Sequence, residues 1–146
     1  MFSSPYGLFV RPSLVCVLLG SVSSCDDPTG PEEVRRLGVI DFYGDPIGIT
    51  VPDTVSVGEN FLVSVKTYGN GCVYEDATEV NTAGLSADIT PYDRHRVGVN
   101  CPDLLREHDH TAVLSLQQPG TATISFHGLK SSGDLEISEL REVVVK

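Results

Sequence analysis

The sequence is short of most features that announce a reaction or a membrane span. Across 146 residues no apolar run reaches the roughly 20 that a helix needs to cross a bilayer, so no stretch reads as a spanning helix. Tryptophan is missing, so any sandwich core must do without the indole that often anchors one. Cations are scarce: 10 Lys and Arg stand against 20 Asp and Glu, a net charge of −10. Such a surface repels phosphates, and without a basic stripe to offset it nucleic acid is excluded as a partner. Arg94-His95-Arg96 is the one local cationic cluster and reads as an exposed strand end. No G-x-S-x-G elbow, phosphate-cradling glycine loop or CxxC pair occurs, so no catalytic residue and no cofactor is assigned. Helical periodicity is nearly absent too, and "PDLLRE", Pro102 to Glu107, alone suggests one short helical turn behind an initiating proline.

What the chain does contain is alternation. Phe61, Val63 and Val65 alternate with Ser64, Lys66 and Tyr68; Leu85, Ala87 and Ile89 with Ser86 and Asp88. Ala112, Leu114 and Leu116 alternate with Thr111 and Ser115, and Ala122, Ile124 and Phe126 with Thr121, Thr123, Ser125 and His127. A period of two means sheets with one buried and one wet face. Turn signals such as Gly44-Asp45-Pro46, Gly69-Asn70-Gly71 and Pro119-Gly120 separate the runs. Seven to eight short strands in residues 37–146 predict one all-β domain, an antiparallel β-sandwich. In the last run, "LEISELREVVVK", a bulge near Ser138-Glu139 is expected to bring Ile137 and Leu140 onto one face.

The first 24 residues differ from the rest. Met1–Ser24 holds no acid and one cation, Arg11, followed by the short apolar block "LVCVLLG". This describes a secretory signal. Val22-Ser23-Ser24-Cys25 resembles the lipobox of bacterial lipoproteins. The resemblance implies cleavage before Cys25, acylation of its thiol, and a membrane partner held through that lipid. Residues 25–36, with "DDPTGPEEVRR", have no periodic apolar positions and read as a flexible acidic tether. Loss of Arg11 leaves 9 cations against 20 acids, hence 9 − 20 = −11 for the processed chain.

"VPDTVSVGENFLVSV" with "QQPGTATISFHG" resembles bacterial immunoglobulin-like domains, which implies an Ig-like sandwich and says almost nothing about a ligand. Of the four cysteines, Cys16 lies in the signal and Cys25 is spent on lipid. Cys72 and Cys101 then form one pair in an oxidising compartment, expected as a disulfide; zinc would need two further ligands.

Two chemical constellations stand out. In "REHDH", His108 and His110 are two apart and would share a face on a strand, with Asp109 as a possible carboxylate. The preceding helical turn argues for a solvated loop, and a metal-binding or metal-delivery module remains the alternative. "YEDATE" gathers Glu75, Asp76 and Glu79, oxygens that could suit calcium but without the spacing of an EF-hand, so a charged turn is expected. The resulting expectation is a non-enzymatic lipoprotein of the bacterial envelope, facing the periplasm or exterior. Its sandwich would bind or brace an envelope or extracellular protein or glycan, through loops or an edge at the end away from the tether. Tyr68, Tyr74 or Tyr92 would supply an aromatic patch.

Overall fold

The computed structural model describes residues 30–131 and 135–146, and Cys25 with the signal lies outside them. Regular structure there is all strand: β1 (Glu33–Leu37), β2 (Val39–Asp41), β3 (Ile49–Thr50), β4 (Thr54–Val55), β5 (Asn60–Gly69), β6 (Val73–Ala83), β7 (Ser86–Arg96), β8 (Arg106–Ser115), β9 (Gly120–Lys130) and β10 (Glu136–Val145). Two sheets form a sandwich, β3-β5-β8 facing a larger sheet of the other seven strands. The expected alternation holds. Phe61, Val63, Val65, Ala112, Leu114 and Leu116 from the small sheet meet Ala87, Ile89, Ala122, Ile124, Phe126, Val143 and Val145 from the large one.

Several particulars depart from expectation. The described residues hold ten strands rather than seven or eight, three of them of only two or three residues. The sheet is mixed: β7–β9, β2–β9 and β10–β4 pair in parallel. The first strand of the described residues begins at Glu33, inside the expected tether, because Glu33–Leu37 pairs in register with Arg96–Tyr92 of β7. The helical turn at Pro102–Glu107 does not form. Cys101 is tied to Cys72, Gly71 donates its N–H to the Pro102 carbonyl at 3.1 Å, and Arg106 already opens β8. Nor is there a bulge in β10: its register with β9 runs unbroken, Ile137 packs on the core and Leu140 points to water. Register shifts occur instead in β2, between Val39 and Asp41, and in β6, between Glu75 and Ala77, where the shift turns Asp76 toward the outer face.

The chain enters by an unusual route. β7 and β9 pair directly at Ser86–Ile89 and then separate. β1 follows β7 and β2 follows β9 in the gap, with Gly38 at the apex, its N–H bonded to the Pro91 carbonyl and its carbonyl to the Leu129 N–H, both at 2.9 Å. Glu33, Gly69, Arg106 and Lys130 therefore gather at one end, where the described chain begins.

Candidate functional site

The inward parity of β8 continues past Ala112 to His110, and that of β7 past Ile89 to Asp93. Both are buried. His110 Nε2 lies 3.0 Å from Asp93 Oδ1, and Nδ1 lies 3.1 Å from Thr78 Oγ1 on β6. The set joins three strands across both sheets. Although it combines a hydroxyl, an imidazole and a carboxylate, His110 is 0% exposed, so it is a polar plug in the interior and not a base that substrate can reach. Two neighbouring polar atoms, Thr67 Oγ1 and His108 Nε2, are buried without a hydrogen-bond partner.

This geometry separates the residues proposed as metal ligands. His108 and His110 do share the inward face, since β8 is a strand from Arg106, but Asp109 alternates to the outer one. Both ring nitrogens of His110 are already engaged. Among the described residues no group of three or more His, Cys, Asp or Glu is placed to hold a metal. His127 stands on the wet face as expected, between Ser138 Oγ at 2.8 Å and Asp88 Oδ1 at 3.2 Å. The arrangement sits at the surface, with His127 37% and Asp88 50% exposed.

Two of the three acids of the run on β6 are paired with arginine. Asp76 pairs with Arg35 Nε at 3.1 Å and Arg94 Nη2 at 2.5 Å, and Glu79 pairs with Arg35 Nη2 at 2.8 Å. Arg94 is held above its ordinary basicity chiefly by the hydrogen bond to Asp76, and Arg96 by that to Glu33. On the small sheet Lys66 is raised likewise by its 2.6 Å bond to Glu107. The three tyrosines do not form one patch. Arg35 covers the Tyr92 ring at 3.9 Å and Arg96 covers Tyr74 at 4.8 Å, while Tyr68 stacks on Phe42 at 5.2 Å elsewhere.

That last stack marks the most site-like surface. Two clefts flank Tyr68–Asn70 at the end where the described chain begins. One, of about 190 Å³, is lined by Arg36, Val39, Asp93 and His95 among others; the second, of about 250 Å³, by Phe42, Tyr43, Asp103, Leu104 and Leu105. Tyr43 has φ +52°, the one non-glycine residue in the left-handed region among those described, and is 76% exposed. Its turn is fixed by the Tyr43 N–H on Ser131 Oγ and the Gly44 N–H on Asp41 Oδ1, each at 2.8 Å. Opposite, the Cys72–Cys101 disulfide, with Cα atoms 5.3 Å apart, ties the loop bearing Leu104 and Leu105 to the β5–β6 turn. Strain and covalent restraint thus hold exposed apolar side chains in place. The cysteine pairing was legible in the sequence; Phe42, Tyr43, Leu104 and Leu105 carry no local signal beyond apolar residues among turn formers.

Set against known proteins, the chain matches no family model, no curated protein and no solved structure.

Proposed function

We propose that this chain is an envelope lipoprotein, anchored to a membrane through acylated Cys25, whose sandwich is an interaction module rather than a catalyst. One observation carries the reading of the domain: Tyr43, Leu104 and Leu105 are exposed around the half-buried Phe42, yet their loops are held by a left-handed turn and a disulfide. Exposed apolar groups on restrained loops suit binding, since little conformational freedom is lost on contact. The buried His110–Asp93 pair fits the same reading as internal bracing of the three strands behind those loops. The anchoring rests on the Val22–Cys25 motif behind an apolar block.

The test is the intact mass of the full-length product recovered from membranes, alkylated with and without prior reduction. The expected polypeptide begins at Cys25, carries acyl chains and gains two alkyl groups only after reduction. A chain that keeps Met1–Ser24 or lacks acyl groups overturns the anchoring.

A further inference from the structure

The two ends of the sandwich are finished differently. At the end where β1 begins, the loops carry Tyr43, Val99, Leu104, Leu105 and Leu135, between 42% and 76% exposed. At the opposite end the turns at 56–59, 84–85 and 116–119 present only Val57 as a large exposed apolar residue. The other conspicuous apolar pair, Leu62 opposite Val113, lies on the outer face of the small sheet among Asn60, Ser64, Thr111 and Ser115.

The position of β1 gives the apolar end an occupant. Cys25 precedes Glu33 by eight residues, which span at most about 28 Å fully extended. The ten- and eleven-residue strands are themselves about 35 Å long, so only loops at the β1 end are always within tether reach of the acyl chains. Tyrosine and leucine are side chains suited to the headgroup boundary, where a ring or a branched chain is desolvated while polar groups stay wet. We infer that this end of the sandwich rests on the lipid surface, with Tyr43, Leu104 and Leu105 in the headgroup region as a second, non-covalent attachment beside the acylated Cys25. The inference rests on the anchoring at Cys25 and deepens the reading of this cluster as a binding surface by naming lipid as what it binds. The surface is one of zwitterionic lipid, because the acidic excess of the chain opposes a strongly anionic one.

The missing tryptophan makes the test clean. Acylated protein expressed from the full-length sequence and carrying Tyr43→Trp, Leu104→Trp or Val113→Trp is reconstituted into phosphatidylethanolamine–phosphatidylcholine vesicles, with and without brominated lipid. All three positions are exposed, so the substitutions leave the core intact. Tryptophan at 43 and at 104 shifts its emission to the blue and is quenched by bromolipid, while tryptophan at 113 does neither. Protein whose mass proves acylation at Cys25 but whose three tryptophans behave alike overturns the surface contact and leaves the anchor standing. A mass without acyl chains overturns the anchor and the surface contact with it.

Discussion

Gly38 stands at the apex between β1 and β2, and the space where a side chain would go is taken. A Cβ there would lie 2.4 Å from Thr67 Cγ2 and 3.2 Å from Asp93 Oδ2. Both neighbours are buried, so neither can swing away into water. Gly38→Ala is expected to cost about 1–3 kcal/mol by overpacking, read as a lower urea midpoint. Gly30→Ala, with nothing within 4 Å, leaves the midpoint where it was. The buried polar residues around this point were within reach of the sequence. Counting by twos back from Leu116 passes Leu114 and Ala112 and arrives at His110; counting forward from Ala87 arrives at Asp93. What obscured them was Pro102, whose suggestion of a helical turn made the histidines look like loop. Their hydrogen-bond pairing depends on strands distant in sequence and had no local signature.

Among the elements, β5, β7, β8 and β9 were plain from alternation, because each has one face on the core and one in water. β1 was not. "EVRRL" has no apolar face of its own and becomes a strand because β7 offers it partners, with Glu33 held by Arg94 and Arg96 at 3.5 and 3.1 Å. The loop between β7 and β8 depends on a covalent link instead. Replacing both Cys72 and Cys101 by alanine releases a loop with a sequence separation of 29 and is expected to lower stability by about 3–4 kcal/mol on loop entropy. Urea unfolding of the oxidised protein against the double variant measures this. Reductant should bring the native protein to the variant's curve and leave the variant unmoved.

At the scale of the whole molecule, composition and alternation together settle an all-β sandwich, whereas the parallel pairings belong to the path of the chain and to no single segment. Charge also acts at this scale. With 20 acids to 10 cations, and Arg35, Arg94 and Arg96 each paired with a carboxylate, the protein should leave a labelled DNA duplex unshifted in a gel at low salt. A retarded band would show that local basic charge outweighs the global field. The way β1 enters the sheet has a mechanical consequence. Tension applied through the residues before Glu33 and directed along the strand meets a ladder whose hydrogen bonds lie across the direction of pull, so the five register pairs with β7 share the load in shear instead of opening one after another. The Glu33 ion pairs stand where that force enters and the disulfide closes the loop at the end of β7, so the end of the domain that would be pulled first carries both ionic and covalent cross-links.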